Sequence, residues 1–161
     1  MGWWGREAIA LSHARAVKEV DVTDTILYFK RGYKYQVSRD FHATLVLPFP
    51  VTDPVKTDYL ELDQFGNLLI KKGYAWDGAS GPTWDTQNSM RGSLVHDAGY
   101  QLIRLGLVDP RNKEYFDQVL HDLCTQDGMW GWRADYWRWA VLEFGAGSTR
   151  PSAEPQEERA P

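Results

Sequence analysis

A histidine followed directly by an aspartate, His96-Asp97, is the pair of residues in this sequence best suited to acid–base chemistry. The pair lies in an apolar segment that has the spacing of a helix and also contains Tyr100. On a helix, His96 and Tyr100 share a face because they are four residues apart, whereas Asp97 is turned away by about 100°. A neutral imidazole can take a proton from water near pH 7, which is the task of a general base in a hydrolase.

A second aspartate, Asp117, lies on the helix predicted to come next. Only Leu107–Asp109 are expected to join the two helices, so they should pack antiparallel and bring Asp117 toward His96. A carboxylate on one ring nitrogen fixes the tautomer of a histidine and stabilises the imidazolium that forms during hydrolysis. The sequence therefore predicts that Asp117 orients His96.

The segment before His96 offers oxygen ligands. Residues 73–86 are rich in glycine, proline and aspartate, and they are predicted to form a loop. Backbone carbonyls of this loop and the carboxylate of Asp97 would provide the oxygen coordination that calcium prefers. A calcium ion there would polarise an ester carbonyl and stabilise its oxyanion.

Structural interpretations stay open beside these catalytic ones. A second His-Asp pair, His121-Asp122, shows that the dipeptide also occurs without the loop. His96 and Asp117 could form a buried polar network that only holds two helices together, and Asp77 and Asp85 of the loop also suit turn capping. A third function, metal-dependent phosphohydrolysis, is disfavoured because the upstream ligand, His42, lies in a predicted strand instead of a helix.

An α+β fold is predicted to position these residues: a small N-terminal antiparallel sheet (25–72), a Gly-rich loop (73–86) and a bundle of about three helices (89–144). Runs of β-branched and aromatic residues predict the strands, which are Thr25–Phe29, Tyr33–Val37, Phe41–Leu47, Tyr59–Leu62 and Leu68–Lys71. Glycines and an Asp-Pro start signal delimit the helices, which are Ser89–Leu105, Asp109–Asp127 and Trp130–Phe144. A further short helix is predicted over 8–19. The sequence thus predicts one domain, 1–145, and a disordered tail, 146–161.

Composition excludes several classes of protein. The chain has 161 residues, a formal net charge of −4 and a single cysteine, Cys124. The acidic balance argues against nucleic-acid binding, and one cysteine cannot form an internal disulfide. No signal peptide is predicted at Met1–Glu7, and apolar runs such as Thr44–Phe49 are too short to span a bilayer. We expect synthesis in the cytoplasm.

Tryptophan is unusually frequent, with eight residues in the chain. Four of them fall between Trp130 and Trp139, within the third predicted helix. Tryptophan suits both cores and membrane interfaces. We expect this cluster to belong to the core instead of a membrane-contacting surface.

The ordered motifs resemble a family of bacteriophage and prophage proteins classed as domain of unknown function 1353. The motifs are Tyr74–Ser80, Arg91–Tyr100, Phe116–Leu120 and the aromatic helix that closes at Phe144 and Gly145. The resemblance covers roughly residues 25–145. Phe116 and Leu120 stand where the family has Ala and Phe, and both remain apolar. The resemblance implies a phage origin, and the family name implies no activity.

The loop, the His-Asp-x-x-Tyr helix and the later aspartate are also similar to secreted and parvoviral phospholipase A2. This resemblance implies that His96 activates water, Asp117 orients it and Tyr100 braces Asp117. It also implies that Asp97 and loop carbonyls around Gly78 hold calcium. We add Asp77 to the candidate metal ligands, and we assign substrate binding to Trp76 and Ser80.

Two functions follow from the sequence. The first is a phage-encoded phospholipase A2-like or esterase-type hydrolase that uses a His-Asp pair and calcium on cell-envelope lipid during entry or lysis. The second is a non-enzymatic phage protein, a virion or tail component or a host-interaction protein, in which the His-Asp cluster is structural. The expected partners are membrane lipid or phage structural proteins, and the protein would stay in the host cytoplasm or join the virion.

Overall fold

The computed structural model describes residues 29–31, 34–78 and 86–153. The fold class is confirmed: short antiparallel strands come first and three α-helices follow. The helix predicted over 8–19 and most of the strand Thr25–Phe29 lie outside the described residues.

The strands form two sheets instead of the single predicted one. The first sheet contains β1 (Phe29–Arg31), β2 (Tyr35–Val37) and β7 (Ala75–Trp76), in the order β1-β2-β7. The second contains β3 (Phe41–Thr44), β4 (Val55–Lys56), β5 (Leu60–Leu62) and β6 (Asn67–Ile70), in the order β3-β6-β5-β4. Every pairing is antiparallel.

Two of these strands differ from the prediction. β4 follows Pro54, between the predicted strands Phe41–Leu47 and Tyr59–Leu62, and β7 lies inside the loop predicted over 73–86. Both strands have two residues and lie at the edge of a sheet, where each needs hydrogen bonds on one side only. Such short edge strands leave too weak a sequence pattern to be predicted.

Buried and exposed side chains alternate along the strands, so the core forms on one face of the sheet. In β3, Phe41 and Ala43 are buried and His42 is exposed. The leucines of β5 and residues Leu68 and Ile70 of β6 are buried in the same way. These side chains pack with helix residues in one continuous apolar core.

The helices agree with the prediction to within a few residues at each end. They are α1 (Met90–Arg104), α2 (Lys113–Gln126) and α3 (Gly131–Phe144). A 3₁₀ turn, Pro110–Asn112, leads into α2, and the Asp109 carboxylate accepts a hydrogen bond from the Arg111 amide at 2.8 Å. Gly106 and Gly128, which follow α1 and α2, have φ angles of 70° and 84° that favour glycine.

Helices α1 and α2 pack antiparallel, as predicted. The start of α1 contacts the end of α2 through an ion pair between Arg91 and Asp127. The end of α1 contacts the start of α2, where Gly99 faces Phe116. A side chain at position 99 would overlap the Phe116 ring, so glycine is needed for the helices to approach this closely.

The helices also hold the irregular chain between β3 and β4. The Phe49 amide donates to Asn112 Oδ1 at 3.0 Å, and Asn112 Nδ2 donates to the Phe49 carbonyl at 2.7 Å. Nearby, the Val46 amide donates to the Tyr115 hydroxyl at 2.8 Å. Three hydrogen bonds from the beginning of α2 therefore join the sheet layer to the helical layer.

Helix α3 is the element that departs most from expectation. The prediction that its tryptophans belong to the core is wrong for Trp130, Trp132 and Trp139, which are exposed, and right for Trp137. Trp132 and Trp139 lie on the side opposite the buried side chains of α3, and Trp130 precedes the helix. None of the helices in the described ranges is long and apolar enough to cross a membrane.

The chain after α3 contains 3₁₀ turns at Gly145–Gly147 and Pro151–Ala153. Arg104 Nη1 donates to the Ser148 carbonyl at 3.0 Å, which fixes this segment near the end of α1. The first part of the predicted disordered tail, 146–161, therefore has local structure. Residues 154–161 lie outside the described part of the chain.

Candidate functional site

His96 of α1 and Asp117 of α2 meet at the interface of the two helices. His96 Nε2 lies 3.1 Å from Asp117 Oδ1. Asp117 is fully buried, and 7 % of His96 is exposed. The predicted approach of the imidazole and the carboxylate is therefore confirmed, while their catalytic role stays a prediction.

Asp117 has two further hydrogen-bond donors. The Tyr100 hydroxyl donates to Oδ1 at 2.6 Å, and Lys113 Nζ donates to Oδ2 at 2.8 Å. This hydrogen bond joins the two residues that the phospholipase resemblance pairs, while the role of Tyr100 stays a prediction. Three donors thus satisfy a carboxylate that would otherwise be too costly to bury.

Lys113 was not among the predicted residues. Its signal in the sequence is the spacing of four residues to Asp117, which places an ammonium and a carboxylate on one helix face. Lys113 Nζ also lies 3.3 Å from the Val141 carbonyl of α3. This lysine therefore connects the third helix to the His96–Asp117 pair.

The other ring nitrogen of His96 faces its neighbour in sequence. His96 Nδ1 lies 3.3 Å from Asp97 Oδ1, and the Asp97 side chain is 27 % exposed. Nε2 therefore faces a fully buried carboxylate, whereas Nδ1 faces one that is partly exposed. The Tyr100 ring packs beside the imidazole with its centroid 4.0 Å away.

This environment shifts the pKa values of His96, Asp117 and Tyr100. Burial lowers the pKa of His96, but the hydrogen bonds to Asp117 and Asp97 raise it more, so the net pKa lies above the usual 6.5. Burial raises the pKa of Asp117, but the hydrogen bonds from His96, Lys113 and Tyr100 lower it by more. The net pKa is therefore below its usual value. Burial and the Asp117 charge raise the pKa of Tyr100, which keeps the phenol protonated as a donor.

The substrate-binding residues predicted from the loop have a different position. Trp76 is buried, and its indole nitrogen donates to Ser93 Oγ at 3.1 Å. Its ring packs 5.3 Å from that of Tyr35. Trp76 thus connects β7 to α1 one turn before His96 and offers little surface to a substrate. Ser80 lies outside the described residues.

The candidate metal ligands do not form a site on their own. Asp77 is exposed, and its carboxylate lies 3.6 Å from Lys34 Nζ. Gly78 is a buried residue with a φ angle of 71°. In 29–31, 34–78 and 86–153, no three His, Cys, Asp or Glu side chains are arranged to hold a metal ion. Calcium needs six to eight oxygens, so the described residues do not fit it without others.

The second His-Asp pair repeats the arrangement at the next helix interface. His121 Nδ1 lies 2.9 Å from Asp122 Oδ1, and Nε2 lies 3.1 Å from Asp135 Oδ1 of α3. The difference is burial, because the Asp135 side chain is 74 % exposed. The same substitution can therefore be made in the buried cluster and in the more exposed one, and the second variant serves as the control for the first.

No family model matches the chain, and comparisons with curated proteins and with solved structures find no match. The two family resemblances therefore stay predictions. The chemistry available at His96 follows from its geometry: one ring nitrogen faces the fully buried Asp117 carboxylate, and the other faces the Asp97 carboxylate, which is 27 % exposed.

Proposed function

We propose that the protein is a phospholipase A2-like or esterase-type hydrolase that uses His96 as its general base. The observation that carries the proposal is the asymmetry of the imidazole: Asp117 holds Nε2 from the buried side, while Nδ1 lies toward the more exposed Asp97. A base needs one nitrogen fixed and the other available to water.

In the proposed reaction, neutral His96 carries its proton on Nε2, where it is donated to Asp117. Nδ1 takes a proton from a water molecule as the water oxygen bonds to the ester carbonyl carbon. The buried Asp117 carboxylate stabilises the imidazolium, and Tyr100 and Lys113 keep that carboxylate ionised and in place. The ester bond then breaks, and the proton on Nδ1 moves to the leaving alcohol oxygen.

The direct test is fatty-acid release from phospholipid by wild type and His96→Gln. We expect wild type to release fatty acid and His96→Gln to show only background, because glutamine cannot take up the proton. His121→Gln is the matched control, since it changes the same residue type at the more exposed pair and should keep wild-type activity. Background release by the folded wild-type protein on phospholipids and simple esters would contradict the proposal.

The pH dependence of hydrolysis gives a second readout. The base must be neutral, and hydrogen bonds to two carboxylates outweigh burial and hold the pKa of His96 above 6.5. We therefore expect the rate to be low at pH 6 and to rise with pH through that raised pKa. A rate that falls between pH 6 and 8 would mean that His96 does not act as a base.

Calcium is proposed as the cofactor, with Asp97 as the ligand nearest His96, and no step is assigned to it. The remaining oxygens would have to come from groups beyond the candidate side chains. We expect calcium to raise the melting temperature of wild type, since saturation at a hundred times the dissociation constant stabilises by about 2.7 kcal/mol. Asp97→Asn should abolish this rise. An unchanged wild-type melting temperature in millimolar calcium would contradict the calcium prediction.

A structural role for the cluster is the second candidate function. It is favoured by one observation: both nitrogens of His96 lie within 3.3 Å of carboxylate oxygens, so an imidazolium would be fully hydrogen-bonded. In that case the protein would be a virion, tail or host-interaction component without activity. Loss of stability in His96→Gln, with no hydrolysis by wild type, would favour this function.

The proposed setting is a bacteriophage or prophage. The motif resemblance supports it, and the proposed substrate would be lipid of the host cell envelope. We propose synthesis in the host cytoplasm, with membrane lipid as the first partner and association with phage structural proteins as the second. Nucleic acid is not proposed as a partner, because the chain carries a net charge of −4.

A further inference from the structure

The residue that ends α3, Gly145, lies against the Asp117 cluster. A β-carbon built on Gly145 would lie 2.6 Å from the Tyr100 hydroxyl oxygen, which is too close for a carbon and an oxygen without overlap. Two ring atoms of Tyr100 would lie at 3.3 and 3.4 Å, at the short end of van der Waals contact. The φ angle of Gly145 is −74°, which any residue adopts. Space, and not backbone conformation, therefore requires glycine at this position.

The turn that contains Gly145 is held in place from two sides. The Gly145 amide donates to the Val141 carbonyl and closes the last turn of α3. Three residues later, the Ser148 carbonyl accepts a hydrogen bond from Arg104 of α1 at 3.0 Å. Because both contacts fix the backbone at residue 145, a larger side chain there would displace the phenol and not the turn.

The Tyr100 hydroxyl beside Gly145 shares an acceptor with the imidazole. It donates to Asp117 Oδ1 at 2.6 Å, and His96 Nε2 lies 3.1 Å from the same oxygen. Hydrogen bonds that share one acceptor affect each other, because each neutralises part of its charge. A displaced phenol would therefore change how much negative charge Oδ1 presents to the imidazole.

We propose that Gly145 is a positioning residue, which leaves the space in which the Tyr100 hydroxyl reaches Asp117. It touches no substrate and acts on His96 only through these two side chains. This inference deepens the proposed function, on which it rests, by assigning part of the site to the end of α3. Neither member of the His96–Asp117 pair belongs to that helix.

Lys113 provides a second contact between the end of α3 and the carboxylate. Its ammonium lies 2.8 Å from Asp117 Oδ2 and 3.3 Å from the Val141 carbonyl. Carbonyls in the last turn of a helix carry partial negative charge, which favours an ammonium there. The last turn of α3 thus contacts both side chains that donate to Asp117 beside His96.

Gly145→Ala tests this inference through the titration of His96, followed by NMR of the imidazole. His96 contacts Asp97 and Tyr100 on its own helix and Asp117 on α2. When the hydroxyl is displaced, Oδ1 keeps more negative charge for the imidazolium. We therefore expect the titration midpoint of His96 to rise by roughly 0.4–1 pH unit, and Tyr100→Phe should raise it by a similar amount. The resonance that disappears in His96→Gln identifies the residue.

Gly147→Ala is the matched control. Gly147 lies in the same 3₁₀ turn, and a β-carbon there would meet no atom of the described residues within 4 Å. This variant should keep the wild-type midpoint. A change of the same size as in Gly145→Ala would mean that the turn in general, and not the space at residue 145, governs His96.

The double variant Gly145→Ala/Tyr100→Phe tests whether Gly145 acts through the hydroxyl. Its midpoint should equal that of Tyr100→Phe alone, because the atom that the new methyl group would overlap is gone. The double variant also decides the case in which Gly145→Ala alone is unfolded by circular dichroism. Recovery of the fold in the double variant would support the inference, and a double variant that is equally unfolded would overturn it.

The titration needs no substrate, so this inference and the proposed function can fail separately. A wild-type midpoint in folded Gly145→Ala, or a further change in the double variant, would overturn the inference. If wild type hydrolyses phospholipid, the pH at which the rate rises should move upward with the His96 midpoint in Gly145→Ala. A midpoint that moves while the pH dependence of the rate does not would contradict His96 as the base, and with it the proposed function.

Discussion

Replacing Asp117 with alanine is expected to lower the free energy of unfolding by about 3–5 kcal/mol. The substitution leaves Lys113 and His96 without their shared anion and the Tyr100 hydroxyl without an acceptor. Since Asp117 is fully buried, water cannot easily replace these hydrogen bonds. Urea denaturation of wild type and Asp117→Ala at pH 7 measures the difference.

Asp135→Ala is the matched control for this prediction. Asp135 accepts from a histidine Nε2 at the same distance, 3.1 Å, but its side chain is 74 % exposed. Exposed pairs contribute about 0–1 kcal/mol, so this variant should unfold nearly as wild type does. Equal losses in the two variants would mean that burial does not govern the strength of the Asp117 cluster.

The conservative change Asp117→Asn should reduce the proposed hydrolysis by roughly 10³–10⁴-fold at pH 7. Asparagine keeps the shape of the side chain but loses the charge that would stabilise the imidazolium. It also replaces one oxygen by an amide nitrogen, which cannot accept from Lys113. The measurement is kcat on phospholipid, with the fold verified by circular dichroism.

The exposed cluster again provides the control, because Asp135→Asn should hydrolyse phospholipid at the wild-type rate. Tyr100→Phe removes one hydrogen bond from Asp117 and should reduce kcat less than Asp117→Asn does. A folded Asp117→Asn variant with a kcat close to that of wild type would remove Asp117 from the proton-transfer step.

The contact between His96 and Asp117 could be predicted because it depends on two strong local signals. Helical spacing fixes the face of each residue, and Gly106 with Asp109-Pro110 marks a short connection between the helices. These signals also gave the three helices. In the sequence, only the four-residue spacing from Lys113 to Asp117 indicates this lysine. Its hydrogen bond to the Val141 carbonyl depends on tertiary packing and could not be predicted.

Other features could not be derived from local patterns. Strands β4 and β7 have two residues each, and the pairing that defines them comes from chain far away in sequence. Trp76 has the appearance of a loop residue that could contact a substrate, yet its hydrogen bond to Ser93 fixes it in the core. The orientation of the tryptophans on α3 depends on which face of the helix the α2 side chains cover.

The side-chain amide of Asn112 has a consequence for the proline-containing connection between β3 and β4. By bonding to both the N–H and the C=O of Phe49, it mimics the edge of a neighbouring strand. Both peptide groups of the half-buried Phe49 are therefore paired, although the residue lies outside the strands. Residue 49 therefore acts as a fixed anchor point, and changes in length are better accommodated after it, in the exposed stretch 52–54, than before it.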